Sequence, residues 1–354
     1  HGSFPTPRRQ SLTHAPQPLA FQGSSKQYQE RPMLPPREKM TICFAHVAYR
    51  FADRFALRGA GIDFFEVRNR DDLDARIAGA DVLVCSGLWR NDLPKLSPRL
   101  RFVQSASAGT DQYDRDVLRA AGIRLASAQG CNANAVSEHA ISQILAILRR
   151  IPEARDNQAK RFWRGMMGDF TKREDEAGGK TVIVVGTGRI GGRIARICKA
   201  LDMHVIGVRR DASAGTNGAD EVHAFTNLPA LLPRADFVVL ACPLTDETRG
   251  LIGAAALAAM KPTAHLVNVA RGRVVDEPAL IAALQAGRIA GAALDVTVDE
   301  PLPEASPLWT MPNVLITPHT GGETHKYEDN VLDMMMENLN RQWRGEAALF
   351  NQIV

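Results

Sequence analysis

The sequence lacks any run of the roughly 18 apolar residues that a membrane-spanning helix needs, and no basic stretch leads into an apolar one in the manner of a secretion signal. It also lacks paired cysteines. Cys43, Cys85, Cys131, Cys198 and Cys242 are odd in number, irregularly spaced and form no CxxC, which argues against a disulfide framework or a zinc ribbon. Four of them sit in apolar stretches and read as small core residues. Cys131 lies beside Gly130 in an expected loop, without the basic neighbour that would activate a thiol. No metal site is expected, and a reducing cytoplasm is the expected compartment. The third absence is a basic body. The chain carries a net +4. Residues 1–39 hold six basic and two acidic residues, 6 − 2 = +4, which leaves 43 − 6 = 37 basic and 39 − 2 = 37 acidic residues in the remainder. A neutral body offers no face for nucleic acid.

What is present is an ordinary globular composition, with 45% hydrophobic and 23% charged residues. Residues 1–39 are rich in Pro, Gln and Ser and have no apolar period, so they read as a flexible N-terminal extension, with Met40 as a natural start. From Met40 short β-type runs (TICFAHV, DFFEV, DVLVC, RFVQSA, IRLAS) alternate with helix-like pieces, which predicts a parallel sheet over about 40–130. An amphipathic stretch follows at 135–150, with Val136, Ala140, Ile144, Ile147 and Leu148 at helical spacing. A second α/β series starts at Thr181, with strands expected at TVIVV, HVIGV, DFVVLA, AHLVNV, AGAALDV and NVLITP and a last helix at about 323–343.

Gly186, Gly188 and Gly191 make a G-x-G-x-x-G turn after the first of these strands. Ile190, Ile194, Ile197 and Leu201 follow at helical spacing. That context is the one a dinucleotide fingerprint requires: a tight turn, close approach of backbone to pyrophosphate, and close helix–strand packing, with the phosphates at a helix N-terminus. The residue that discriminates the ribose comes about 20 positions later, at the tip of the next strand. Here Arg209 and Arg210 occupy it, and Asp211 follows, expected past the turn. An acid would hold a 2′-hydroxyl, whereas guanidinium groups fork onto a 2′-phosphate. The expected cofactor is NADP(H), with NAD(H) second.

Three further strand ends carry chemistry. NVARGRVVDEPAL places Arg271 at a tip, ALDVTVDEPLP offers Asp295 and Glu300, and LITPHTGGET offers His319. In a doubly wound sheet ligands bind beyond the carboxyl ends of the strands, where all of these emerge.

Taken together, VVGTGRIGGRIA, PLTDETRGLI, NVARGRVVDEPAL, LDVTVDEPL and TPHTGG resemble, in order and spacing, the signatures of the D-isomer-specific 2-hydroxyacid dehydrogenases, from about Met40 to the C-terminus. The resemblance implies two Rossmann/flavodoxin-like doubly wound α/β domains with a cleft between them. Residues 40–134 and 323–354 would form the substrate domain and 135–322 the dinucleotide-binding domain. It implies reduction of a small 2-keto acid, glyoxylate or hydroxypyruvate among them, to the D-2-hydroxy acid, by a homodimer joined mainly through the cofactor domains. Arg271 matches the residue that binds substrate carboxylate and carbonyl, His319 the proton donor and Glu300 its paired acid. Asp295 matches the aspartate near the nicotinamide amide. SASAGTDQYD resembles the carboxylate-holding loop and implicates Ala108 and Gly109. Cofactor contacts are implied for Gly186, Gly188, Arg189, Ile190, Gly191, Arg209, Arg210, Cys242, Pro243, Thr248, Val269, Ala270, Asp295, His319 and Gly321. Arg209 stands where NAD-dependent relatives carry Asp.

Leu88 and Trp89 are read either as pocket-lining residues or as packing residues. Trp163 and the Met166–Met167 pair are read as a dimer contact, with reach into the partner's cleft as the other option. Two alternatives to the keto-acid reading remain. Phosphite dehydrogenases share the Arg, Glu and His. The family's nucleotide-sensing corepressors bind partners instead of catalysing. Formate dehydrogenases are set aside because they place Gln where Glu300 stands.

Overall fold

The computed structural model describes residues 34–354, so residues 1–33 of the expected extension lie outside the described residues. The chain is already packed at Leu34, which is buried in the first lobe. The next residue, Pro35, gives its carbonyl to Trp343 Nε1 at 3.0 Å.

The first lobe is a five-stranded sheet: β1 (Thr41–Ala45), β2 (Asp63–Val67), β3 (Val82–Cys85), β4 (Phe102–Ser105) and β5 (Arg124–Ala126). Its order is β2-β1-β3-β4-β5, and every pair is parallel. The second lobe has seven strands: β6 (Thr181–Val185), β7 (His204–Arg209), β8 (Glu221–Ala224), β9 (Phe237–Leu240), β10 (His265–Asn268), β11 (Gly291–Leu294) and β12 (Val314–Ile316). The order is β12-β11-β10-β9-β6-β7-β8, again all parallel. Both are doubly wound, with the strand order reversing beside β1 in the first sheet and beside β6 in the second.

The inner strands are apolar on both faces because helices cover both faces of a parallel sheet. Alternate residues divide between two cores. In the first sheet Ile42, Phe44, Val82 and Val84 face the helix Tyr327–Trp343, through its Val331, Leu332, Met335 and Leu339. Cys43, Leu83, Cys85 and Val103 face the other way. In the second sheet Val182, Val184, Val205 and Val239 pack against Val136, Ala140 and Ile144 of the helix Ala133–Leu148. The chain end returns to the first lobe as well: Ile353 N–H donates to the Leu125 carbonyl at 2.8 Å.

One strand was not expected. EVHA forms β8, an edge strand whose four residues are only partly buried. Its Glu221 is ringed by Arg234, His204 and His223, and these hydrogen bonds hold its carboxyl below the usual range. A polar, charge-paired edge strand has no apolar alternation to read.

The carboxyl edges of the two sheets are turned toward each other. Arg189, just past β6, donates to the Gln129 carbonyl beyond β5 at 2.8 Å and to Asn351 Oδ1 at 3.2 Å.

Candidate active site

The cradle begins at the end of β6. Gly186 has φ +93, and a Cβ there would sit 2.6 Å from Cys242 Cα. A Cβ on Gly191 would land on the Gly186 carbonyl. Only glycine closes this turn against the neighbouring β9 end and admits the helix Arg189–Ala200 so near. Gly188 is different: a Cβ there meets nothing within 4 Å. It is also the N-cap of that helix and supplies no side-chain cap. The first helical N–H groups are therefore left for an anion. A cavity of about 270 Å³ opens there, lined by Gly186, Thr187, Gly188, Arg209, Arg210, Asp211, Cys242, Pro243 and Thr248, with Phe225 and Thr245. Among the described residues the buried Thr187 hydroxyl has no partner. Uncapped helix, open glycine and basic rim fit a dinucleotide.

The expected cofactor residues divide by geometry. Arg209 turns its guanidinium onto the carbonyls of Ala214 and Gly215, at 3.2 and 3.3 Å. Arg210 is largely exposed and meets Glu247 at 3.2 Å. Asp211 lines the cavity instead of lying past it, and its Oδ1 accepts from Ser213 N and Oγ at 2.9 and 2.6 Å. Thr248 uses its hydroxyl to staple the turn, donating to the Pro243 carbonyl at 2.7 Å. The Arg189 side chain reaches the first lobe, whereas Ile190 sits half-buried on the helix. Val269 and Ala270 are buried just past β10.

The ends of β10, β11 and β12 lie side by side and bring the reactive candidates together. His319 Nδ1 and Glu300 Oε2 are 2.6 Å apart. The other Glu300 oxygen accepts from Thr297 N at 3.1 Å, so the acid is fixed from behind. Among the described residues His319 Nε2 has no partner. The ring is presented from a backbone at φ 55. That left-handed conformation costs a residue with a Cβ about 1–3 kcal/mol and persists only where the surroundings over-determine it. Here they do: His319 N–H donates to the Asp295 carbonyl at 2.8 Å, and the Asp295 carboxylate takes Thr320 N and Gly321 N at 3.1 and 3.0 Å. Burial pushes the Asp295 carboxyl up, but the hydrogen bonds from His139, Thr317 and Gly321 outweigh it, so its pKa lies below the ordinary value. Asp295, Glu300 and His319 line one cleft of about 390 Å³, with Leu302, Trp309 and Ile316 as apolar wall.

Arg271 follows β10, exposed, and donates from its guanidinium to the Ala270 carbonyl at 2.6 Å. It does not line the 390 Å³ cleft, but its loop is locked to it. A Cβ on Gly272 would land on the Thr297 carbonyl, so the Arg271 loop and the Asp295–Glu300 loop are in van der Waals contact. Asn268, buried at the end of β10, holds the same turn by accepting from Ala270 N at 3.0 Å and donating to the Arg271 carbonyl at 3.1 Å. Asn268 and Gly272 were missed as positioning residues. The signal available was their flanking of Arg271 at a strand end.

Beyond β4, Ser107 ties the loop by donating to the Gly109 carbonyl at 2.8 Å. Among the described residues the N–H groups of Ala108 and Gly109 have no acceptor. Leu88 and Trp89 are buried in the first-lobe core, with the Trp89 ring 5.0 Å from Tyr113, so the structure supports the packing reading for both. All five cysteines are buried free thiols. Burial pushes Cys85 and Cys198 up to about 12 and Cys242 up to about 11, which keeps them protonated and inert. Among the described residues no group of His, Cys, Asp and Glu has a metal-holding arrangement, and no helix is long and apolar enough to cross a membrane.

The family model for the NAD binding domain of the D-isomer specific 2-hydroxyacid dehydrogenases matches residues 141–321. This chain belongs to the D-isomer-specific 2-hydroxyacid dehydrogenase family. The dehydrogenase is 36% identical over 267 residues to a glyoxylate reductase of Korarchaeum cryptofilum, covering 73% of this chain and 78% of that one. It is 35% identical over 291 residues to the glyoxylate reductase/hydroxypyruvate reductase of Mus musculus, covering 78% and 85%. Among solved structures, a D-isomer specific 2-hydroxyacid dehydrogenase family protein of Aeromonas salmonicida aligns with a TM-score of 0.77 at 28% identity, covering 89% of this chain and 99% of that one.

Proposed function

We propose that the dehydrogenase reduces a small 2-keto acid, of the glyoxylate or hydroxypyruvate class, to the D-2-hydroxy acid with NADPH. The observation that carries this reading is the 2.6 Å His319–Glu300 pair at the same sheet edge as the glycine turn and Arg271. A bound reduced nicotinamide supplies the hydride. The chain's own residues do the rest. Arg271 and the free N–H groups of Ala108 and Gly109 hold the substrate carboxylate. Arg271 also stabilises the charge that grows on the carbonyl oxygen. Glu300 fixes the imidazole through Nδ1, which leaves Nε2 to give that oxygen its proton. The names of the two relatives given above support the same substrates, while others at similar identity are named D-3-phosphoglycerate dehydrogenase.

The NADPH preference rests on Arg209 and Arg210 at the cavity rim, with Asp211 engaged through Oδ1 by Ser213 and Glu247 paired with Arg210. The test is a 340 nm assay with glyoxylate, hydroxypyruvate, bulkier 2-keto acids and phosphite, each with NADPH and NADH. Turnover of keto acid with NADPH is expected, and a preference for NADH of about tenfold would refute the cofactor assignment. Arg209→Gln should lower kcat/KM for NADPH by about 10- to 100-fold, the worth of a charge-assisted hydrogen bond, and leave NADH little changed.

The active form in this proposal is a homodimer. Ile151, Phe162, Trp163, Met166 and Phe170 are all exposed, Trp163 at 94%, on the segment between the two α/β series. So many large apolar side chains exposed within one short segment support an interface there. Trp163→Glu combined with Met166→Glu should halve the mass seen by light scattering after gel filtration; an unchanged mass would place the interface elsewhere.

A further inference from the structure

A half-buried polar chain lies behind the His319 loop and has no part in the scheme above. His139 is on the helix Ala133–Leu148, one turn before Gln143. Its Nε2 lies 2.9 Å from the Thr317 hydroxyl, and that hydroxyl donates to Asp295 Oδ1 at 2.6 Å. His139 Nε2 is itself 3.4 Å from the same carboxylate oxygen. Gln143 Nε2 lies 3.1 Å from His139 Nε2 and donates to the Thr317 hydroxyl at 3.3 Å, so the proton on the ring is set jointly by Thr317, Asp295 and the Gln143 amide. Asp295 then holds Thr320 N and Gly321 N on either side of the oxygen network. The fit is close: a Cβ on Gly321 would come within 2.7 Å of Asp295 Oδ2 and 3.1 Å of the His139 ring. A Cβ on Gly322 would come within 2.6 Å of Asn132 Nδ2, on the segment crossing from the first lobe.

We propose that His139 is a positioning residue: through Thr317 and Asp295 it holds the loop 317–321 that presents His319, and so ties the proton donor to the helix that follows the crossing between the lobes. His139 itself lies behind the cleft and touches none of the reacting atoms. The loop needs this support because His319 sits in the left-handed region, where only an over-determined backbone keeps a side chain aimed. A network of four side chains, with Gln143 and Asp295 buried, and two backbone N–H groups supplies the determination. The inference rests on the reading of His319 as proton donor.

The test compares His139→Leu with His139→Gln, and Thr317→Val with Thr317→Ser, in the full chain with glyoxylate and NADPH. The readouts are kcat, KM for both reactants, melting temperature and the solvent deuterium isotope effect on kcat. Leu and Val remove the donor or the relay, whereas Gln and Ser keep one. The expected result is a fall in kcat of about tenfold or more for Leu and Val. It comes with a larger solvent isotope effect, because proton delivery becomes slower, and with KM for NADPH within about twofold. Gln and Ser recover turnover, and the Leu–Val double variant is no worse than either alone. Thr317→Val is isosteric and carries the test if His139→Leu does not fold. A melting temperature that falls while kcat and the isotope effect stay put assigns His139 to stability alone and overturns the proposal, as does a loss that Gln and Ser fail to rescue. His319→Ala in the same assay separates the two levels: if it keeps turnover, the reading of the reaction fails and this inference with it. If it loses turnover while His139→Leu does not, only the inference fails.

Discussion

Replacing His319 with alanine is expected to lower kcat by about 10²- to 10⁴-fold, the range in which a positioned general acid contributes. NADPH binding, followed by fluorescence, should be unchanged, because the glycine cradle and Arg209 lie beyond other strands of the sheet. Alanine at φ 55 keeps the backbone strain and loses the ring that Glu300 holds, so a melting curve must accompany the kinetics. His319→Asn is the safer variant, since asparagine tolerates the left-handed region and cannot serve as the acid. Glu300→Gln is the informative partner. It keeps an oxygen for Nδ1–H but removes the charge, so its loss should be smaller than that of His319→Ala. Turnover of His319→Asn within about threefold of the parent would remove this residue from the proton step, since a general acid contributes far more than that.

The sequence was informative where geometry repeats and silent where it is unique. Parallel strands buried on both faces are apolar runs, so eleven of the twelve strands were legible, and the missing β8 is the one whose residues face ion pairs. The glycine fingerprint was legible because its glycines do separate work: Gly186 and Gly191 have no room for a Cβ, whereas Gly188 stands open where the backbone would meet a pyrophosphate. Arg271, Glu300 and His319 were legible as strand-tip residues. Their mutual arrangement was not, because it depends on loop-to-loop contacts such as Gly272 against Thr297 and on the left-handed turn at His319. His139 and Gln143 stood four residues apart on the flank of the apolar stripe of the helix Ala133–Leu148. On a helix that spacing puts them side by side, a signal that was present and passed over. Asp295 was read as a cofactor contact. In the structure its carboxylate is engaged with Thr317, Thr320 and Gly321, so the same residue also builds the loop beside it.

The second large effect is expected at Arg271. Arg271→Ala should lower kcat/KM for the keto acid by about 10²- to 10³-fold, the loss seen when a donor to a developing oxyanion is removed. The loss should fall on both kcat and KM, because in the proposed scheme one guanidinium serves the carboxylate in the ground state and the carbonyl oxygen in the transition state. Arg271→Lys keeps the charge without the planar fork, so it should restore KM in part and kcat hardly at all. The structure says why the side chain can be held to this task. Asn268 accepts from Ala270 N and donates to the Arg271 carbonyl, and Gly272 presses the turn against Thr297. The backbone under Arg271 is thus fixed to the loop that carries Glu300, while among the described residues the guanidinium's one hydrogen bond is to the Ala270 carbonyl at 2.6 Å. Calorimetric titration with oxalate, which offers the two carboxylate groups of a keto acid mimic, reads the ground-state share directly. If Arg271→Ala binds oxalate and turns over glyoxylate as the parent does, the anion is held by the Ala108–Gly109 loop alone, and the chemistry at this sheet edge needs a different cation.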